Sequence, residues 1–102
     1  MAKFALSSLA KEDLREVGRF TLEHWGPQQV VRYLDGFENA CQLLAENPNV
    51  GRSAAHVRDG LHAYSYQAHV IFYLVNESEI LIVRVLHGAQ DVPRAFSQQE
   101  DG

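Results

Sequence analysis

The residues best suited to chemistry lie together in EILIVRVLHGAQD, residues 79–91. Arg84 interrupts an otherwise apolar run, and His87 and Asp91 follow it closely. A guanidinium binds a carboxylate or a phosphate through two parallel hydrogen bonds, and a histidine near a carboxylate can transfer a proton. No nucleophile accompanies these residues, which argues against covalent catalysis. Arg84 is therefore either a charge that contacts a partner or a side chain whose stem covers apolar surface while its head reaches solvent or Asp91.

The histidines and the cysteine show no recognisable metal or nucleophile motif. Neither an HExxH motif nor paired Cys/His spacing occurs in the sequence, whose five histidines are His24, His56, His62, His69 and His87. Cys41 lies on the apolar stripe of a predicted helix, which favours a place in the core over a reactive thiol. We therefore predict no catalytic residue, no metal site and no cofactor.

Composition limits the class of protein. The chain has 102 residues, enough for one domain, and a formal net charge of −4. This charge argues against bulk nucleic acid as the main partner, because domains that bind it usually carry a basic patch. The start of the chain is too polar for a signal peptide, no run is long enough to span a membrane, and one cysteine allows no internal disulfide. The sequence predicts a cytoplasmic protein without membrane contact.

Hydrophobic periodicity divides the chain into helices and strands. Apolar residues recur at helical spacing from Leu9 to about Trp25 and from Pro27 to about Glu46, and Gly26 between them can end a helix. Shorter runs predict strands at residues 3–7, 61–66, 69–75 and 80–87. The order β-α-α-β-β-β predicts an α+β fold with a helical hairpin packed on one face of a mostly antiparallel sheet. We assign residues 1–96 to a single domain and 97–102 to a flexible tail.

The second helix carries the most regular apolar stripe in the chain. Its members are expected to face the core, and they are Val30, Leu34, Phe37, Cys41 and Leu44. Trp25, at the end of the first helix, is expected to anchor the packing between the helices and the following loop.

Both faces of the predicted sheet are apolar. In strand 80–87, simple alternation places Val85 beside Val83 on one face and Arg84 beside Leu86 on the other. Two helices on one side leave the second face without a cover, and a large exposed apolar patch usually marks a partner site. We therefore expect a foreign polypeptide, or a second copy of this chain in a homodimeric adaptor, to cover that face.

Four segments in the same order resemble one known family. They are LSSLAKEDLREV entering the first helix, HWGPQQVVRYLDGFENACQLLAENPNVGR through the hairpin, VRDGLHAYSYQAHVIFYLV, and ILIVRVLHGAQD. On the predicted elements they resemble the RelE/ParE superfamily of bacterial toxins, and most closely its ParE branch.

The resemblance implies a toxin of a type II toxin–antitoxin system, of the kind associated with plasmid stabilisation. It implies DNA gyrase as the target and inhibition of gyrase without enzymatic activity of the toxin itself. It also implies a ParD-type antitoxin, whose C-terminal segment wraps the toxin and whose N-terminal domain binds operator DNA. Direct operator binding by this chain alone is therefore not expected.

The RelE branch supplies the alternative function, ribosome-dependent endonucleolytic cleavage of messenger RNA. That reaction needs groups that deprotonate the 2′-hydroxyl, stabilise the phosphorane and protonate the leaving oxygen. RelE-like enzymes resemble one another in clustering Lys, Arg and a C-terminal Tyr or His on the sheet. Here no lysine follows Lys11 and no tyrosine follows Tyr73. These differences favour gyrase inhibition over RNA cleavage.

The resemblance also suggests which residues contact a partner. Arg84 matches an arginine of the family on the same strand, and Gly51-Arg52 matches a family turn. The H-G-x-x-D pattern after the strand matches as well, although a turn at Gly88 explains that pattern structurally. The predicted partner-binding residues are Arg52, Arg58, Arg84, His87, Asp91 and Arg94.

Overall fold

The computed structural model describes residues 3–88 and 92–97, which form five strands and three helices. In chain order these are β1 Phe4–Leu6, α1 Ser8–Trp25, α2 Pro27–Glu46, β2 Arg52–Ser53, β3 His62–Tyr66, β4 His69–Val75, β5 Ile80–His87 and α3 Val92–Ser97. The predicted order is confirmed, with the short β2 and α3 added to it. Of the predicted tail, residues 98–102 lie outside the described residues.

Local capping explains where the two long helices begin and end. The Ser7 hydroxyl oxygen accepts a hydrogen bond from the Ala10 backbone N–H at 3.0 Å, which caps the start of α1. Gly26 has a φ of 89°, a conformation that glycine adopts without steric cost, and its N–H donates to the Leu22 carbonyl. Pro27 is the first residue of α2. Its missing backbone N–H costs nothing there, because the first N–H groups of a helix have no acceptor within the helix. The predicted hairpin is confirmed.

The five strands form one sheet in the order β1-β5-β4-β3-β2. β1 runs parallel to β5, and every other neighbouring pair is antiparallel. The predicted fold class, a helical hairpin on one face of a mostly antiparallel sheet, is confirmed. No helix in the described part of the chain combines the length and apolar character that a membrane span requires.

A β-bulge in β5 changes which side chains share a face. Phe72 of β4 lies opposite Arg84, but the next residue, Tyr73, lies opposite Ile82, so Val83 is the extra residue. Beyond the bulge, Val85 belongs to the core on the helix side and Leu86 to the core on the other side. The expectation from simple alternation, which grouped Val85 with Val83, was therefore wrong.

The helices cover one face of the sheet and enclose the larger core. The buried members of this core are Ala10, Tyr33, Phe37, Ala40, Cys41, Leu44, Ile71, Tyr73, Ile80, Ile82 and Val85. Burial raises the pKa of the Cys41 thiol to about 12, so the thiol stays protonated at neutral pH, as befits a core residue. Leu34 of the predicted stripe is instead 40% exposed, and its neighbour Tyr33 is buried.

The second face of the sheet is covered by the chain itself. Residues 54–61 and α3 close over it, so that Phe72 is 4% exposed and Leu86 is fully buried. The Phe96 ring of α3 meets the Phe72 ring edge-on, with centroids 5.2 Å apart. The expectation that this face needs a foreign cover was wrong, because the spaced apolar residues Val92, Ala95 and Phe96 form the covering side of a helix.

Candidate functional site

Arg84 is a buried member of an ion pair. It is 8% exposed, and its Nε and Nη2 donate to the two carboxylate oxygens of Asp13 at 2.8 and 2.9 Å. Its Nη1 donates to the Ala95 carbonyl at 2.9 Å. One side chain thus joins α1, β5 and α3 through a fork of charge-assisted hydrogen bonds.

The ion pair lies along the edge of β5 that β1 leaves uncovered. β1 pairs with β5 only as far as Ile82, because the chain then turns into α1. Beyond Ile82, side chains of α1 and of its cap bind the backbone of β5 instead. The Ser7 hydroxyl donates to the Val83 carbonyl at 2.7 Å, and Asp13 Oδ2 accepts from the Val85 N–H at 2.9 Å. These contacts occupy backbone groups that an exposed edge would offer to another strand.

This arrangement explains an arginine in the middle of an apolar strand. The hydrogen bond to Asp13 raises the pKa of the Arg84 guanidinium, which therefore keeps its charge despite burial. The carboxylate that pairs with it is Asp13, whereas the sequence pointed to Asp91, which lies outside the described residues. Contact between Arg84 and a partner stays a prediction, and a partner would first have to displace Asp13 or Ala95 to reach the guanidinium.

A concave surface lies between α1 and the ends of β4 and β5, and we call it the α1 groove. Its volume is about 690 Å³. One wall is α1, from Asp13 and Glu16 to Phe20, and Trp25 stands at one end. Tyr33, His69 and His87 also line it. Clefts of this size hold several side chains of a bound polypeptide or one small ligand.

Several aromatic and histidine side chains that line the α1 groove contact one another. His69 and His87 are opposite one another on β4 and β5, with ring centroids 6.4 Å apart. The Tyr33 hydroxyl lies 3.2 Å from His69 Nδ1, and the Tyr66 hydroxyl donates to the Tyr33 carbonyl at 2.9 Å. Burial and, to a smaller extent, His87 lower the pKa of His69, while burial raises that of Tyr33. The His69–Tyr33 contact is therefore uncharged at neutral pH.

Exposed aromatic side chains border the α1 groove. Trp25 is 72% exposed and Phe20 is 58% exposed, and the Phe20 ring stacks on His24 with centroids 4.0 Å apart. The expectation that Trp25 anchors internal packing was therefore wrong. Large exposed aromatic groups at a concavity are typical of protein interfaces, where tryptophan is enriched among the residues that contribute most to binding.

The predicted partner-binding residues lie on different elements of the fold. Arg52 lies exposed on β2, at the sheet edge opposite β1, and Arg58 lies exposed in the loop that covers the second face. Arg94 is exposed on α3, and His87 lines the α1 groove. Of the five predicted residues that the structure describes, His87 is thus the one that belongs to the groove.

Sequence reasoning missed three residues that shape this region, Asp13, Tyr33 and His69. Asp13 had a detectable signal, because it falls on the same helical side as Ala10 and Val17, which pack in the core. A carboxylate on the buried side of a helix needs a partner, and an arginine within an apolar strand is the matching one. Among residues 3–88 and 92–97, no group of three or more His, Cys, Asp or Glu side chains is placed to hold a metal ion.

Comparison with known proteins places this chain in a family. A model of the ParE toxin of type II toxin–antitoxin systems, parDE, matches residues 4–92. Toxin ParE1 of Mycobacterium tuberculosis is 36% identical over 94 residues, which cover 91% of this chain and 96% of that protein. Toxin ParE of Escherichia coli is 29% identical over 103 residues, with both chains covered completely.

A solved structure agrees at the level of the fold. The structure described as the chromosomal ParDE toxin–antitoxin system from P. aeruginosa superposes with a TM-score of 0.71 at 17% sequence identity. The match covers 85% of this chain and 96% of that one. The family model, the relatives and the fold agree, and this chain belongs to the ParE toxin family of type II toxin–antitoxin systems.

Proposed function

We propose that this chain inhibits DNA gyrase without being an enzyme, and that a ParD-type antitoxin neutralises it. The observation that carries the proposal is the family match over residues 4–92, which includes the helical hairpin, the α1 groove and the Arg84–Asp13 pair. The similar P. aeruginosa structure is that of a ParDE system, which supports an antitoxin as the partner.

The geometry favours binding over RNA cleavage. Arg84, the cation in the middle of the sheet, already donates three hydrogen bonds to Asp13 and Ala95 within the fold. Arg52 lies on β2, which β3 and β4 separate from β5, the strand that carries Arg84 and His87. Cleavage through a phosphorane needs several cations and an acid–base pair around the same phosphate. Arg52 is too far along the sheet from Arg84 and His87 to share one phosphate with them.

Gyrase as the target also implies where the toxin acts and which molecules it contacts. Residues 1–96 act as one toxin domain in the cytoplasm, where the chromosome is accessible. Operator DNA is bound by the antitoxin, because the toxin has a net charge of −4, with 9 lysines and arginines against 13 aspartates and glutamates. Of the described residues, Arg52, Arg58 and Arg94 are the exposed arginines that we propose for contact with the target or the antitoxin.

Expression of the chain alone in a bacterium tests this proposal. We expect growth arrest together with induction of the DNA-damage response, because a trapped gyrase–DNA complex breaks chromosomes. Co-expression of the protein encoded by the adjacent reading frame should restore growth, and a gene with a stop codon in place of Lys11 serves as the control.

Two other outcomes would contradict the proposal. Arrest with cleaved messages and no DNA-damage response would indicate ribosome-dependent RNA cleavage of the RelE type. Normal growth at a high level of intact protein would indicate an inactive relative or an adaptor.

A further inference from the structure

We infer that the α1 groove receives an arginine or lysine side chain, flanked by apolar residues, from the toxin-binding segment of the antitoxin. The inference rests on the proposed function, because it specifies the chemistry of that antitoxin's contact. It depends on three features of the described residues: the charge of the lining, the aromatic border, and the contacts that each carboxylate already makes.

The α1 groove has two lining carboxylates, and because Arg84 already neutralises Asp13 inside the fold, the negative charge that a partner can meet is that of Glu16. Asp13 and Glu16 contribute carboxylates, and no lysine or arginine is among the described residues that line it. Burial lowers the pKa of His69, so this histidine does not offset the negative charge at neutral pH. An occupant with a positive charge is therefore favoured over a neutral or acidic one.

Glu16 is the carboxylate that remains available. Both oxygens of Asp13 accept hydrogen bonds from Arg84, and Oδ2 also accepts one from the Val85 N–H. Glu16 pairs only at the surface, with Arg19, and the Glu16 side chain is 70% exposed. Such exposed pairs contribute little free energy, so a partner cation can replace Arg19 at small cost.

The aromatic side chains provide the second half of the site. Glu16 and Phe20 lie one helical turn apart, so a cation that reaches the carboxylate also lies beside the ring. Trp25, 72% exposed at the end of the groove, offers the indole face that binds cations best. The volume of about 690 Å³ leaves room for apolar side chains next to the cation. A basic residue within an apolar segment matches all of these features.

Charge reversal at two matched positions tests the inference. Glu16 and Glu12 are both exposed on α1, by 70% and 69%, and each pairs with the arginine three residues later. Only Glu16 lines the α1 groove. We expect Glu16→Lys to raise the Kd for the full-length product of the adjacent reading frame by tenfold or more, roughly 1.4 kcal/mol. Glu12→Lys adds the same charge and should change the Kd by less than about threefold. Isothermal titration calorimetry measures both.

Two further measurements identify the occupant. Trp25→Ala should weaken binding by about tenfold, whereas Leu22→Ala, which removes a half-exposed side chain outside the groove, should not. Replacing the contacting arginine or lysine of the antitoxin by glutamate should restore affinity for the Glu16→Lys toxin. Restored affinity would identify the basic residue of the antitoxin that contacts Glu16. Exchanging the two charges can restore binding only if the two side chains interact in the unmodified complex.

The outcomes separate this inference from the proposed function. If the unmodified chain binds the antitoxin tightly and the Glu16 and Glu12 variants bind it equally well, the inference is wrong and the proposed function stands. If the unmodified chain does not bind the adjacent product at all, both are wrong. Circular dichroism of each variant shows whether the fold is retained, which the exposure of the two glutamates leads us to expect.

Discussion

Asp13→Ala is expected to lower the free energy of unfolding by about 3–5 kcal/mol, because it leaves a buried guanidinium without its counter-charge. In the folded chain the Asp13 carboxylate accepts from Arg84 Nε and Nη2 and from the Val85 N–H. Its loss therefore removes an ion pair and unpairs a backbone donor at the sheet edge. Urea denaturation of the isolated chain, followed by circular dichroism, measures the change.

Glu12→Ala is the matched control for this prediction. Glu12 precedes Asp13 in α1 and pairs with Arg15 at 4.0 Å, but both side chains are largely exposed. Its removal should cost less than about 1 kcal/mol, as is usual for surface ion pairs. If Asp13→Ala costs no more than Glu12→Ala, then the Arg84–Asp13 pair does not stabilise the fold as described.

Leu86→Ala is expected to destabilise the isolated chain by about 2–5 kcal/mol. Leu86 is fully buried on the sheet face opposite the helical hairpin, and the cover is supplied by α3 and residues 54–61 of the same chain. The substitution leaves a cavity that the surrounding side chains fill only in part. The same denaturation experiment, performed without any partner present, gives the measurement.

Leu34→Ala makes the same chemical change at an exposed position. Leu34 is 40% exposed on α2, so its truncation should cost less than roughly 1 kcal/mol. A large difference between the two variants is expected only if the second face is closed in the free chain. Equal, small effects would mean that this face is open until a partner binds.

Local sequence signals were sufficient for the fold class. Gly26 and Pro27 mark the turn between α1 and α2, and the apolar stripe of α2 indicates which side of that helix faces the sheet. Both signals act over a few residues, through backbone conformation and helical periodicity. The order of elements then leaves few topologies for a sheet covered by a helical hairpin.

Long-range features were beyond such reasoning. Arg84 and Asp13 are 71 positions apart, and alternation along β5 gave the wrong faces because the bulge at Val83 shifts the register. A bulge depends on both strands of a pair, and no pattern within one strand specifies it. The same limit applies to α3, because the sheet face that Val92, Ala95 and Phe96 cover is set by the assembled fold.

The candidate site was predictable only in part. His87 was selected and lines the α1 groove, but Trp25 was expected to anchor the packing between the helices and the following loop, although it is exposed. Exposure of an aromatic side chain depends on the space that neighbouring elements leave, which is a property of the assembled fold. His69 and Tyr33 meet across 36 positions for the same reason.

DNA supercoiling by purified gyrase is the measurement that tests the central claim most directly. We predict that this chain stops supercoiling and causes cleaved DNA to accumulate, and that prior addition of the adjacent-frame antitoxin prevents both effects. Gyrase that continues to supercoil at the full rate in an excess of folded toxin, while messages are cut in a translating extract, would contradict it.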